Sequence, residues 1–204
     1  RGIKRFVYAA SSSAYGDTPT LPKVETMRPT PLSPYAVGKL VGEHYCSVFF
    51  KVFGLETISL RYFNVFGQFQ DPTSQYAAAI PAFVTAILKD EPPTIYGDGE
   101  QSRDFTYVDN VVDANLLAAR AEHTAGEVVN IACGEAVTVN AIIDMINAAV
   151  GKNVKPVYAD SRPGDVKHSL ADITLAGKII GFKPRVSFQE GLAKAIDWYR
   201  KNLL

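Results

Sequence analysis

The feature that most constrains this chain is a short run, Phe6-Val7-Tyr8-Ala9-Ala10, apolar without interruption and ending in Ser11-Ser12-Ser13. A strand with one wet face alternates. A strand apolar at every position is covered on both faces, the habit of a parallel sheet packed between helices. In an open α/β sheet, ligands bind just outside the carboxyl ends of the strands, where the serines fall. Ser33-Pro34 then opens a helix, with a capping hydroxyl followed by proline at the first helical position. That helix carries Tyr35 and Lys39 four residues apart, so phenol and ammonium stack on one face.

The three residue types suit one chemistry. An ammonium favours the ionised form of a phenol beside it, and a serine hydroxyl can share the same substrate oxygen. Such a trio removes a proton from an alcohol while hydride leaves its carbon.

Composition narrows the rest. The 204 residues are 47% hydrophobic and 21% charged, with formal net charge zero. There is no basic field for nucleic acid or an anionic membrane, and no apolar run long enough to span a bilayer. Cys46 and Cys133 fit no metal spacing and read as buried free thiols of a reducing compartment, hence a cytoplasmic protein. His44, His123 and His168 form no ligand pair, and no metal is expected.

The pattern predicts further elements. Asp17 to Pro34 holds five prolines and reads as a long surface loop of the kind that is usually functional. The helix from Pro34 ends at Gly54 and carries an apolar stripe of Val37, Leu40, Val41, Val48, Phe49 and Val52, with Tyr35, Lys39, Glu43 and Cys46 on another face. Strands are expected over 57–62, 94–96, 102–106, 128–132 and 154–159. Helices are expected over 80–89, 108–121, 139–150, 172–180 and 188–203.

Three segments carry a resemblance. Ala10-Ser11-Ser12-Ser13-Ala14-Tyr15-Gly16, Ser33-Pro34-Tyr35-Ala36-Val37-Gly38-Lys39 and Arg61-Tyr62-Phe63-Asn64-Val65-Phe66-Gly67 resemble the extended short-chain dehydrogenase/reductases, in particular the NAD-dependent nucleotide-sugar 4-epimerases. The resemblance implies an α/β fold: the C-terminal part of a Rossmann-type doubly wound parallel sheet plus a small mixed α/β substrate domain. It assigns residues 1–75 and 107–135 to the NAD-binding domain, and 76–106 and 136–204 mostly to the UDP-sugar domain. The family's glycine-rich dinucleotide turn does not occur in this sequence. A preceding segment of roughly 120 residues is therefore expected as a partner, and the chain alone is expected to be inactive.

The same resemblance distributes roles. Tyr35 is the base and Lys39 its helper, and both hold NAD with Tyr62. Ser11, or Ser12 one register along, steers the proton. Asn64, the helix start at Ala78 and Ile80, Tyr96, and Arg103 in Gly97-Asp98-Gly99-Glu100-Gln101-Ser102-Arg103-Asp104 are implied to bind substrate. So are Arg162 and Asp165 in Arg162-Pro163-Gly164-Asp165. The helix start reads equally well as an ordinary N-terminus. A planar guanidinium matches phosphate oxygens, which suits both arginines to a diphosphate.

Ser169 occupies a position where a small residue leaves room for an N-acetyl group, which implies UDP-N-acetylglucosamine and UDP-N-acetylgalactosamine as substrates. UDP-glucose or UDP-glucuronate epimerisation is the alternative. A non-catalytic nucleotide-sugar-binding fragment is the alternative of another class. Dehydratases and decarboxylating relatives carry acids where Ser12-Ser13 stand, so plain oxidation and re-reduction at C4 is implied. Pairing as a homodimer through the apolar stripe of the Tyr35 helix is also implied.

Overall fold

The computed structural model describes residues 2–71, 79–161 and 166–203. The apolar run becomes strand β1 (Arg5–Ser11), which leads directly into a 3-10 turn, Ser12–Tyr15. Helix α1 (Pro34–Phe53) begins as its sequence dictates. Ser33 Oγ accepts from the Ala36 amide at 3.2 Å, and Gly54 closes the helix in the left-handed region at φ 68°. There follow β2 (Glu56–Tyr62), β3 (Val65–Phe66), α2 (Ala79–Leu88), β4 (Thr94–Tyr96), β5 (Ser102–Arg103), β6 (Thr106–Tyr107) and α3 (Val108–Arg120). The chain continues through β7 (Glu127–Ile131), β8 (Val137–Thr138), α4 (Val139–Val150), β9 (Val157–Ala159), α5 (Thr174–Ile180) and α6 (Phe188–Leu203).

β1, β2 and β7 form a parallel sheet in that order. Ala10, Arg61 and Asn130 lie in one row across it, and Ser11, Tyr62 and Ile131 in the next. Side chains alternate along a strand, so these two rows face opposite sides. One face of β2 presents Ile58 and Leu60 to Ala114 and Ala118 of α3 and to Ala176 and Ile180 of α5. The other presents Thr57, Ser59 and Arg61 to α1, where Thr57 Oγ1 donates to the Cys46 carbonyl at 2.6 Å. Helices thus cover both faces of the central strand β2, the doubly wound α/β layout, but the apolar run itself is not covered on both faces: β1 lies at the end of the described sheet, with only Ala10 buried and Phe6 48% exposed. Gly42 lets α1 come down on β1, since a Cβ there would lie 2.1 Å from the Tyr8 ring.

A second core gathers α2, α4 and α6 around Ile87, Ile142, Ile146, Leu192 and Tyr199. Beside it β4 pairs with β9 and β3 with β6, both parallel, and β5 with β8 antiparallel. α5 and Phe182 pack on the sheet side, although they fall in the sequence between α4 and α6.

Several boundaries differ from expectation for local reasons. The strand expected over 102–106 splits into β5 and β6, because Asp104 between them turns inward and takes three backbone amides. The strand expected from residue 154 starts at Val157, because the Val154 amide is tied to Asn147 Oδ1 of α4 at 2.9 Å. α5 starts at Thr174, whose amide donates to Asp172 Oδ1 at 2.7 Å. Both cysteines are free, and Cys46 is buried, but Cys133 is only half-buried. The proline-rich loop is held down by a parallel bridge from Lys23 to Ala171. Among the described residues, no helix is long and apolar enough to cross a membrane, and no cluster fit for a metal ion occurs.

Candidate active site

The serine run is a structured turn. Ser11 leaves β1 in extended conformation and caps the turn after it, with Oγ accepting from the Ser13 amide at 3.2 Å and from Ser13 Oγ at 2.9 Å. Gly16 ends the turn at φ 64°. A Cβ there would meet the Thr30 carbonyl at 2.0 Å, so only glycine fits. The sharp turn exposes the serine hydroxyls at the carboxyl end of the sheet.

α1 starts beside this turn. Lys39 Nζ donates to the Ala9 carbonyl at 2.8 Å, tying the helix to the strand that delivers the serines. The same ammonium lies 5.7 Å from the centre of the Tyr35 ring and 5.6 Å from that of Tyr8. Tyr35 itself is 60% exposed, so its phenol is open to a ligand.

These groups share a cleft of about 480 Å³, lined also by Tyr62, Asn64, Arg103 and Ser169. Lys23, Lys39 and Arg103 bring positive charge to its walls, and no Asp or Glu lines it among the described residues. A cavity of this size with hydroxyls, an amide and cations suits an anionic, hydroxyl-rich ligand.

Asn64 sits just past β2 at φ 30°, a left-handed conformation that Asn tolerates better than most residues. Its Nδ2 donates to the Asp104 carbonyl at 3.0 Å and to Ser169 Oγ at 3.1 Å. Ser169 Oγ also accepts from the Asp104 amide at 3.4 Å. Arg103 Nη1 donates to the Ser102 and Lys167 carbonyls at 3.0 and 2.8 Å, which fixes its guanidinium at the cleft wall.

Asp104 is fully buried. Its carboxylate accepts from the amides of Cys133 at 2.9 Å, Gly134 at 3.0 Å and Ala171 at 3.2 Å. Burial pushes its carboxyl up to about 6 against the pull of those three donors. Burial, with Asp104 and Glu135 nearby, pushes the Cys133 thiol up to about 11, so it stays protonated. Tyr62 lines the cleft, and its hydroxyl donates to Asn115 Oδ1 of α3 at 3.0 Å.

Of the residues singled out from sequence, Ser11, Ser12, Tyr35, Lys39, Tyr62, Asn64, Arg103 and Ser169 meet at this one cleft. Tyr96 lines a neighbouring depression with Asp98, Gln101 and Lys167. Ile80 has its side chain wholly in the second core, where α2 needs it as an anchor. Ala78, Arg162 and Asp165 lie outside the described residues.

Three supporting residues were not legible as such. Lys23 is a buried lysine whose Nζ is held by the Thr18 carbonyl and, at 3.0 Å, by Thr18 Oγ1. Asn130 receives the Tyr15 hydroxyl at 2.7 Å and donates to the carbonyls of Lys23 and Asp172. Asp104 followed a recognisable arginine, but nothing in its spacing announced three amide partners from distant segments.

Residues 1–132 match the NAD dependent epimerase/dehydratase family. The chain is 38% identical over 201 residues to a putative UDP-glucose 4-epimerase of Methanocaldococcus jannaschii, covering 98% of this chain and 64% of that protein. Among solved structures it superimposes on the UDP-N-acetylglucosamine 4-epimerase of Methanobrevibacter ruminantium M1, in complex with UDP-N-acetylmuramic acid, with a TM-score of 0.93. That match has 43% identity and covers 97% of this chain and 63% of that one. The UDP-glucuronic acid 4-epimerase of Bacillus cereus, with UDP-glucuronic acid and NAD, gives a TM-score of 0.89 at 37% identity, covering 98% and 62%. The chain spans less than two thirds of the length of these three relatives.

Proposed function

Because the chain belongs to the NAD-dependent epimerase/dehydratase family, whose cofactor is NAD, we propose that the intact protein is a nucleotide-sugar 4-epimerase. We assign it UDP-N-acetylglucosamine and UDP-N-acetylgalactosamine as the pair it interconverts. The convergence of Ser11, Tyr35 and Lys39 on one cation-lined cleft carries this reading.

Tyr35 takes the proton of the sugar's 4-hydroxyl, and Ser11, with Ser12 its neighbour in register, holds that oxygen in line with the phenol. Lys39 favours negative charge on the phenol oxygen through its ammonium. Among the described residues it spends one N–H on the Ala9 carbonyl, so an ammonium with three donors can also reach a ribose hydroxyl. These donors and the exposed phenol fit the nicotinamide end of NAD, which Tyr35, Lys39 and the Tyr62 ring would hold. When bound there, NAD supplies the acceptor and later the donor of hydride. The sugar turns over as its 4-keto form, so that hydride given back by the bound cofactor would reach the other face of C4, and Tyr35 returns the proton to the C4 oxygen. Asn64 and Arg103 hold the nucleotide-sugar, together with Ala78, Arg162 and Asp165.

Ser169 is small and leaves room beside Asn64 for an N-acetyl group. Incubation of the intact protein with UDP-N-acetylglucosamine should yield the galacto epimer. Ser169→Tyr should cut that turnover at least tenfold while sparing UDP-glucose. Equal loss on both sugars would remove the size argument. UDP-glucose or UDP-glucuronate as the true substrate is favoured by the names of two relatives, and the same panel separates them.

We also assign the sheet with α1 and α3 to the NAD half and the second core to the UDP-sugar half. A homodimer through the exposed stripe of α1 completes the reading. The 204-residue chain alone is assigned nucleotide-sugar binding without turnover.

A further inference from the structure

Beneath the cleft lies a buried ion pair that the mechanism leaves unused. Arg61 of β2 forks onto Glu43 of α1, Nε to Oε1 at 2.8 Å and Nη2 to Oε2 at 2.6 Å, with both side chains 3% exposed. The central carbon of the same guanidinium lies 4.6 Å from the centre of the Tyr15 ring. Tyr15 is the last residue of the serine turn, and its hydroxyl donates to Asn130 on β7. Glu43 lies four residues beyond Lys39 and eight beyond Tyr35 on one helix, hence on the same face. One guanidinium therefore touches both elements that must meet in proton transfer: the turn bearing Ser11 and the helix bearing Tyr35.

The pair is hard to explain by stability alone. Burying two charges is expensive, and an apolar pair of similar volume often does as well or better. Among the described residues, Arg61 Nη1 is buried with no hydrogen-bond partner, so part of that desolvation stays uncompensated. A fork onto Glu43 on one side and a cation–ring contact with Tyr15 on the other fix direction as well as distance, which no aliphatic side chain does.

We propose that Arg61, clamped by Glu43, is a positioning residue that sets the Ser11 turn against Tyr35. The proposal deepens the epimerase reading and rests on it for the turnover it affects. It places no new group on the substrate, since Arg61 acts only through Tyr15 and α1.

The test is the double variant Glu43→Leu/Arg61→Met in the intact protein, which removes both charges together and leaves neither stranded. It should fold with a midpoint close to wild type. Its kcat should drop about 100-fold with KM nearly unchanged, as for a misplacement on the order of 1 Å. Combined with Ser11→Ala, the losses should be less than multiplicative, because both remove the same alignment. A kcat within about twofold of wild type, or losses that multiply in full, would overturn the proposal. If the double variant does not fold, Arg61→Lys, which keeps the charge but loses the fork, is read the same way. A crystal structure of the folded variant reads the alignment without turnover. The turn over 12–15 should shift relative to α1, and superposition on wild type would refute the positioning role. If wild type epimerises none of the three UDP-sugars, the epimerase reading fails, and that superposition alone decides on the clamp.

Discussion

Helices α1 and α4 are both amphipathic in sequence, yet they bury opposite things. α4 puts Ile142, Ile143 and Ile146 into the second core, none more than 2% exposed. α1 leaves Val41, Val48 and Val52 at 44, 49 and 64% exposed and turns Ala36, Glu43 and Cys46 to the sheet. The difference comes from the partner surface. α4 meets the apolar sides of α2 and α6, whereas α1 meets the row of Thr57, Ser59 and Arg61 on β2. Hydrophobic periodicity tells which residues seek cover but not where the cover comes from.

This contrast can be broken by substitution. Ile146→Ala should cost the largest amount, about 2–5 kcal/mol, because it leaves a cavity in a closed core. Urea unfolding measures it, and a loss below about 1 kcal/mol would mean that the second core is no better packed than the α1 face.

Asp104→Asn should cost less, about 1–3 kcal/mol, because the amide cannot accept at both oxygens and leaves at least one buried N–H unpaired. The wild-type carboxyl also carries a pH signature. Its folded value of about 6 lies above the ordinary 3.8, so the folded state keeps a proton that the unfolded chain has lost. This group's contribution to stability is therefore full below about 4 and falls as pH rises through about 6. Thermal melts of wild type and variant across that window should differ by this slope, and parallel curves would contradict it.

The smallest effect on stability belongs to α1. Val48→Ser and Val52→Ser should shift unfolding by no more than about 0.5 kcal/mol. Sedimentation of the intact protein should nevertheless show weaker self-association. Unchanged association would contradict the proposed homodimer through this stripe.

How much of this was legible in the sequence varied with the range of the interaction involved. β1 and α1 were readable because their signals are local: an unbroken apolar run, a Ser-Pro start and a glycine stop. The cleft was readable in outline because Ser11, Tyr35 and Lys39 sit at fixed offsets from those signals. Asp104, Asn130 and Arg61 were not, because their partners lie tens of residues away and fold into place only with the whole sheet. The split of residues 102–106 into two strands has the same origin, since only the tertiary amide partners of Asp104 break the strand.

The central claim is that the exposed phenol of Tyr35, beside Lys39 and the Ser11 turn, moves the substrate proton. The most direct test is Tyr35→Phe in the intact protein, assayed on the UDP-sugar that wild type epimerises. The account predicts a folded protein that still binds nucleotide-sugar and loses epimerisation by about 10²–10⁴-fold. Turnover at the wild-type rate would contradict it.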